Sequence, residues 1–156
     1  MSQLVHRYSK LISLVVLLLL SLDIMAHGPF RFDKDGRGLY NLEMDLRGHS
    51  ITGITVMQQE QEELRGTVVN QMGLKAFDFI YNDTKQKVEL HNVIKMMNRW
   101  YIRRVLRRDL RFLFSHSSSA NDRNHALVIT SDTVRLQNTR QNINYLFTPL
   151  THDLAK

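Results

Sequence analysis

The chain contains no cysteine, and this absence excludes several kinds of chemistry at once. Disulfide bonds, a cysteine nucleophile and thiolate ligation of a metal all require that residue, as does attachment of a lipid to an N-terminal cysteine. The 156 residues suffice for one domain, which must therefore be stabilised by a packed hydrophobic core. A domain near this size buries roughly two thirds of the surface of its unfolded chain, so such a core can form.

Familiar catalytic motifs are also missing. The sequence has no nucleophile elbow, no HExxH pair, no glycine-rich phosphate loop and no paired-carboxylate motif. The histidines beyond residue 48 are scattered over turns and loops at spacings that match no zinc site: His49, His91, His116, His125 and His152. We therefore predict a protein that is not an enzyme and that uses no cofactor.

The sequence also lacks a hydrophobic run long enough to cross a membrane as a helix. Its longest run of apolar residues and serine, Leu11–Leu22, is shorter than the about 20 residues that a spanning helix needs. Arg7 and Lys10 precede the run and small Ala26 follows it, which is the arrangement of a secretory signal peptide. We predict a signal peptide over residues 1–26 and a mature protein that is exported to the periplasm and not lipidated. An uncleaved anchor and a buried core helix are the alternatives.

Cleavage after Ala26 would make His27 the first residue of the mature chain. A terminal amine and its own imidazole can together chelate copper, and a second histidine could complete such a site. His27 is therefore a minor candidate for metal binding. A frayed terminus without metal is the simpler interpretation.

Export also restricts the partners of this basic chain. The net charge is +6, and Arg99–Phe114 is rich in arginine, so acidic partners are favoured on electrostatic grounds. Nucleic acid lies on the other side of the membrane from an exported protein, and we expect no nucleic-acid partner. An anionic membrane surface remains a candidate.

Apolar and polar residues alternate in many short segments, the period of half-buried strands. The first such segment contains Tyr40, Leu42, Met44 and Leu46. Turn residues separate it from further strands predicted at residues 51–58, 64–70, 74–81, 88–91, 126–130, 133–137 and 143–147. Strands that follow one another at such short intervals predict an antiparallel meander. Gly53 and Gly66 fall inside strands and indicate bends that let the sheet curl.

Residues 93–114 are predicted to form one long amphipathic helix, with Asn92 as its N-cap. Its apolar side faces the sheet, and its basic side carries Arg103, Arg104, Arg107, Arg108 and Arg111. The predicted fold is α+β, a curved antiparallel half-barrel of about seven or eight strands covered by this helix. The domain is expected at residues 39–150, after an extended leader at 27–38 and before a frayed tail at 151–156.

Asp109 lies toward the apolar side of the predicted helix. A buried carboxylate without a partner would be costly, so we predict that Asp109 makes an internal polar contact. Arg65, Arg135 or a neighbour on the helix could be that partner. A structural role is favoured over catalysis, because no acid, base or metal set accompanies this residue.

The passage Leu64–Phe79 (LRGTVVNQMGLKAFDF) joins an apolar strand to Asn-x-x-Gly and Leu-Lys-x-Phe-Asp-Phe. Together with the order of strands and helix over residues 39–114, it resembles the LolA/LolB superfamily of lipoprotein carriers. That resemblance implies a curved half-barrel with helices across its mouth and an apolar cavity. It also implies that the cavity receives acyl chains of lipoproteins or related lipids, in transport that serves outer-membrane biogenesis. The absence of an N-terminal cysteine makes the chain more similar to the soluble carrier than to the anchored receptor.

We expect a ligand cavity between the apolar face of the sheet and the helix. Its predicted lining is Leu42, Met44, Ile54, Val56, Val68, Phe77, Phe79, Met97, Tyr101 and Val105. A closed core made of the same residues is the alternative, because apolar alternation serves packing first.

Three functional hypotheses follow. The first is a non-enzymatic cell-envelope protein that binds an apolar ligand, the acyl chain of a lipid or lipoprotein. The second is a solid-core protein that docks its basic helix on anionic lipid or acidic partners. Copper binding at His27 is the third.

Overall fold

The computed structural model describes residues 28–46 and 49–150. Within these residues the chain forms nine strands and one helix, α1, at Trp100–Phe114. The first five strands precede α1: β1 Arg37–Leu46, β2 His49–Glu60, β3 Glu63–Asn70, β4 Lys75–Asn82 and β5 Lys87–His91. The other four follow it: β6 Ala120–Asn121, β7 His125–Ile129, β8 Val134–Asn138 and β9 Ile143–Pro149. The predicted signal peptide, the frayed tail and His27 lie outside the described residues.

All nine strands belong to one antiparallel sheet in the order β5-β4-β3-β2-β1-β9-β8-β7-β6. Each half of the chain forms a meander, and the two meanders join where β9 pairs with β1, with Leu42 opposite Phe147. The α+β class and the antiparallel sheet are as predicted, but there are nine strands instead of seven or eight. The additional strand, β6, has two residues, Ala120 and Asn121, and is too short to produce an alternating pattern.

The sheet is curved around α1. The helix packs against β5 near one edge of the sheet and against β7 and β8 near the other edge. A bulge shifts the β3–β4 register between Val68 and Val69, and Gly53 of β2 lies against the Val69 carbonyl group. The bend predicted from Gly53 is therefore placed where the backbone of β3 departs from regular pairing.

The helix begins seven residues later than predicted, at Trp100 instead of residue 93. Asn92 is not the N-cap, because its φ is +48° and its side-chain amide donates to Asp78 Oδ2 at 2.6 Å. The Ile94 backbone N–H donates to the Ala76 carbonyl at 2.8 Å, which ties this segment to β4. Local helical periodicity is overridden here by hydrogen bonds to the sheet.

The predicted leader is anchored to the domain by aromatic packing. Phe30 is buried, and its ring centroid lies 4.9 Å from Tyr40, 5.1 Å from Phe147 and 5.8 Å from Phe114. The Tyr40 hydroxyl accepts from the Arg31 N–H at 2.6 Å and donates to the Arg31 carbonyl at 2.8 Å. Burial raises the pKa of Tyr40, so it remains a neutral donor at physiological pH.

Thr55 is the one polar side chain of the described core with a buried hydroxyl that has no hydrogen-bond partner. An unsatisfied buried hydroxyl costs about 1–3 kcal/mol. Thr55→Val is therefore expected to raise the free energy of unfolding by about 1 kcal/mol, measured by urea denaturation. Thr67→Val is the matched control, because the Thr67 hydroxyl donates to Asp78 Oδ1 at 2.8 Å and its loss should destabilise. A loss of stability in both variants would contradict the prediction.

Candidate functional site

The structure distributes the residues of the predicted cavity over three places. Five of them are buried in the core beneath α1: Leu42, Met44, Val68, Phe77 and Phe79. The space left between them and the helix has a volume of about 10 Å³, which is at most room for one water molecule. The space beneath the helix is thus filled by side chains and offers no room for an acyl chain.

Ile54 and Val56 lie on the opposite face of the sheet, with 45% and 43% of their surfaces exposed. Their placement in the predicted cavity is corrected by the pairing of β2 with β1. Leu42 stands opposite Gly53, and Tyr40 opposite Thr55, so the odd-numbered positions of this part of β2 face the core. Ile54 and Val56 therefore lie on the exposed face of the sheet, outside the predicted cavity.

The remaining three predicted residues, Met97, Tyr101 and Val105, line an open apolar groove of about 510 Å³. The N-terminal half of α1 and the turn before it form one wall. The ends of β1, β2 and β9 form the other wall, with Leu46, Ile51 and Ile143. We call this the apolar groove; its full lining is Leu46, Ser50, Ile51, Met96, Met97, Tyr101, Ile102, Val105, Leu106, Gln141, Ile143 and Tyr145.

Two large apolar side chains of the groove are open to solvent, whereas others, such as Met97 and Leu106, are buried. Met96 is 70% exposed and Tyr101 is 53% exposed, and Trp100 beside them is 74% exposed. Sequence reasoning missed Met96, because a continuous helix from residue 93 would not produce the turn at residues 95–97 that carries it. The Met96–Met97 pair was the available signal, since methionine side chains adapt to irregular apolar partners.

The arginine face of α1 forms the wall of a second groove, of about 660 Å³, against β5. Arg103 is held in place, because its guanidinium donates to the Leu90 carbonyl and to Asn98 Oδ1, both at 2.9 Å. The side chains of Arg104, Arg107, Arg108 and Arg111 make no hydrogen bond or ion pair with the described part of the chain. Glu89, on the facing strand, is already paired with Lys87 at 2.8 Å.

The unpaired arginines repel one another along the helix. Arg104 and Arg108, like Arg107 and Arg111, stand four residues apart, where like charges destabilise a helix. The only acidic residue of α1 is Asp109, which points into the core and is 0% exposed. A bound anion would relieve this repulsion, so the face is electrostatically suited to anionic groups.

Asp109 makes the predicted internal polar contact, although its partners are not Arg65, Arg135 or helix neighbours. Its Oδ1 accepts from His125 Nε2 at 3.0 Å and from Asn138 Nδ2 at 2.7 Å. Its Oδ2 accepts from the Tyr145 hydroxyl at 2.7 Å. All four side chains are buried, and burial raises the pKa of Asp109 and, with the nearby carboxylate, that of Tyr145. This cluster joins α1 to β7, β8 and β9.

His125 connects the cluster to the surface. Its Nδ1 lies 3.0 Å from Oδ2 of Asp122, a side chain that is 44% exposed, and Phe112 stacks on the ring at 4.7 Å. Both ring nitrogens therefore lie within hydrogen-bond distance of a carboxylate. Sequence reasoning assigned His125 to a turn or loop, whereas it is the first residue of β7. The signal was its place on the inward face of β7, two residues before buried Leu127.

The cluster is a buried polar contact between helix and sheet. Among the described residues no set of three or more acidic or histidine side chains could hold a metal ion. The same part of the chain contains no helix that is both long and apolar enough to cross a bilayer.

No protein-family model and no curated protein matches the sequence. The resemblance to the LolA/LolB superfamily therefore stays a prediction. The described residues form an open, curved antiparallel sheet with one helix. An apolar groove lies at one side of the helix, and a row of arginines lies at the other.

Proposed function

We propose that this protein is a non-enzymatic protein of the cell envelope that binds the acyl chain of a lipid or lipoprotein. The observation that supports the proposal is the apolar groove of about 510 Å³ beside α1. In contrast to the sequence-based expectation, the ligand is proposed to lie at the rim of the sheet and not beneath the helix.

The apolar groove suits a flexible hydrocarbon chain. Its volume lies within the about 300–1,000 Å³ that is usual for small-molecule sites. Its lining is aliphatic and methionine-rich, and Met96 and Tyr101 expose apolar surface that a chain would remove from water. The filled core behind it supplies a wall that needs no rearrangement on binding.

The proposed location is the periplasm, reached through the predicted signal peptide at residues 1–26 without lipidation. The role proposed from the resemblance to lipoprotein carriers is transport of acyl-bearing molecules during outer-membrane biogenesis. Binding without covalent chemistry agrees with a groove whose polar groups belong to Ser50, Gln141 and the hydroxyls of Tyr101 and Tyr145.

A double variant of the groove tests the proposal. Met96→Gln with Tyr101→Asn should weaken binding of glycerol monododecanoate at least about tenfold, because the ligand loses apolar contact worth about 25 cal/mol per Å². Binding is measured by titration calorimetry and by native mass spectrometry. In the unaltered protein, affinity should increase about fourfold for each methylene added from the octanoyl to the dodecanoyl ester.

The matched control is Met72→Gln with Leu74→Gln. These residues are 78% and 53% exposed and lie in the β3–β4 turn, outside the apolar groove. The control should bind the ester as the unaltered protein does. The proposal is wrong if no ester binds, or if both double variants lose affinity equally.

Docking of the arginine face on anionic lipid is a second candidate. It is supported by the unpaired guanidinium groups of Arg104, Arg107, Arg108 and Arg111 and by the filled core. Such docking would depend on the number of charges on the face and would weaken with salt. Sedimentation with phosphatidylglycerol vesicles at low salt separates it from binding in the groove: Arg107→Gln with Arg111→Gln should weaken vesicle binding and leave the affinity for the neutral ester unchanged.

A further inference from the structure

We infer that the protein has a second binding site, for a phosphate monoester group, between the C-terminal half of α1 and two turns of the sheet. Its cationic residues are Arg108, Arg111 and Arg140, which line one pocket of about 450 Å³. The pocket shares no residue with the apolar groove, so the inference does not depend on the proposed acyl-chain function.

The three arginines of the pocket come from two elements. Arg108 and Arg111 stand three residues apart on α1 and are therefore surface neighbours, while Arg140 belongs to the turn between β8 and β9. None of the three side chains makes a hydrogen bond or an ion pair with the described residues, and Arg108 lacks a partner although it is half-buried. Like charges that line one pocket repel one another, and a bound anion would offset that repulsion.

The turn that carries the third arginine is held in place by hydrogen bonds. The backbone N–H and the hydroxyl of Thr139 both donate to the Asn124 carbonyl, at 2.8 and 3.1 Å. The Gln141 N–H donates to Asn138 Oδ1 at 3.0 Å, and the Asn138 amide donates to Asp109 of α1 at 2.7 Å. The same buried cluster therefore positions the helix and the turn, so less ordering is required when an anion binds.

The pocket lining also contains one carboxylate, that of Asp122, which is engaged by neighbouring donors. Its Oδ1 accepts from the backbone N–H groups of Asn124 and His125, both at 2.6 Å, and its Oδ2 lies 3.0 Å from His125 Nδ1. Three guanidinium groups share the pocket with this single carboxylate, so positive charge prevails. The side-chain amide of Asn124 makes no hydrogen bond within the described part of the chain and adds a neutral donor.

The donor set fits a phosphate monoester better than other common anions. Each guanidinium group offers paired donors, and a phosphate monoester presents three terminal oxygens and nearly two negative charges at neutral pH. A carboxylate and a phosphate diester each present two such oxygens and a single charge, which leaves one arginine of the pocket without a partner. Phosphate monoesters occur both in soluble molecules and in lipid headgroups.

Soluble phosphates and charge-matched variants test the inference by titration calorimetry at low salt. We expect Arg108→Gln with Arg140→Gln to weaken the binding of glycerol 3-phosphate and inorganic phosphate at least about tenfold, because charge-assisted hydrogen bonds from two arginines are lost. Arg104→Gln with Arg107→Gln removes the same charge from the groove against β5 and should change the affinity less than about twofold. Asp122→Asn removes the opposing charge and should increase the affinity about threefold.

Vesicle sedimentation distinguishes the two sources of the phosphate group. Phosphatidic acid carries a phosphate monoester, whereas phosphatidylglycerol carries a diester. Loss of binding to phosphatidic acid vesicles in Arg108→Gln with Arg140→Gln, but not in the control pair, would identify a lipid headgroup. Binding of the soluble phosphates alone would identify a free ligand, and either result supports the inference.

Three results would overturn the inference. The first is that neither the soluble phosphates nor phosphatidic acid vesicles bind. The second is an equal loss of affinity in both arginine pairs, which would indicate that the whole face acts through its net charge, as docking on an anionic membrane surface would. The third is weaker phosphate binding in Asp122→Asn. Each of these results leaves the affinity of the apolar groove for glycerol monododecanoate unchanged, so failure here is distinguishable from failure of the proposed function.

Discussion

Asp109→Ala is expected to lower the free energy of unfolding by about 3–5 kcal/mol, the largest effect of any substitution proposed here. The carboxylate is 0% exposed and accepts hydrogen bonds from His125, Asn138 and Tyr145. Its removal leaves three buried donors without an acceptor and opens a cavity between α1 and the sheet. Each unsatisfied buried donor costs about 1–3 kcal/mol, and partial relaxation of the site keeps the total below their sum.

Asp109→Asn keeps the size and shape of the side chain and removes its charge. This variant therefore separates the contribution of the hydrogen-bond geometry from that of the charge. An amide oxygen can still accept from His125 and Asn138, and the amide nitrogen can donate to the Tyr145 oxygen, so a loss of about 1–2 kcal/mol is expected. Asp122→Ala removes only the exposed partner of His125 and should cost less than about 1 kcal/mol. Urea denaturation followed by circular dichroism measures all three variants. A loss below about 1 kcal/mol for Asp109→Ala would show that the cluster does not hold the helix to the sheet.

Gly53→Ala is expected to destabilise the protein by about 3 kcal/mol. A Cβ atom at this position would overlap the carbonyl oxygen of Val69, next to the bulge in β3. The obstacle is backbone in the middle of the sheet and not the end of a flexible side chain. The β2–β3 pairing must therefore open locally before the methyl group can be accommodated.

Gly73→Ala is the control for backbone conformation. Gly73 has a φ of +77°, and a Cβ atom there would meet nothing within 4 Å. Its replacement should cost about 1 kcal/mol, from the conformation alone. Thermal unfolding and urea denaturation compare the two variants. If Gly53→Ala cost no more than Gly73→Ala, the close approach of β2 and β3 would not be needed for the curvature of the sheet.

Alternation of side chains identified the strands but not always the face that is buried. In β1, Leu42 and Met44 are inward, as expected from their pattern. In β2, the β-branched residues Ile54 and Val56 gave the stronger hydrophobic signal, yet Thr55 is the buried residue. The phase of β2 is set by its register with β1, a contact between strands that no single segment encodes.

The candidate site was predicted only in part for the same reason. Met97, Tyr101 and Val105 were expected at a ligand site from helical periodicity, and they line the apolar groove. Its other wall comes from Leu46, Ile51 and the start of β9, which the pairing of β1 with β2 and β9 brings to one end of the strands. Whether the interior would be open or filled depended on side-chain volumes packed in three dimensions, so the pattern left both alternatives.

The amino-acid sequence by itself determined the elements whose signal is local: eight of the strands, the amphipathic helix with its outward arginines, and the need for a partner at Asp109. Tertiary structure decided everything that depends on long-range pairing. It joined β9 to β1, tied Ile94 to β4 so that α1 begins at Trp100, and supplied His125, Asn138 and Tyr145 as the partners of Asp109. The physical reason is range: side-chain periodicity is set by neighbours a few residues away, whereas grooves, register and buried polar clusters are set by residues far apart in the chain.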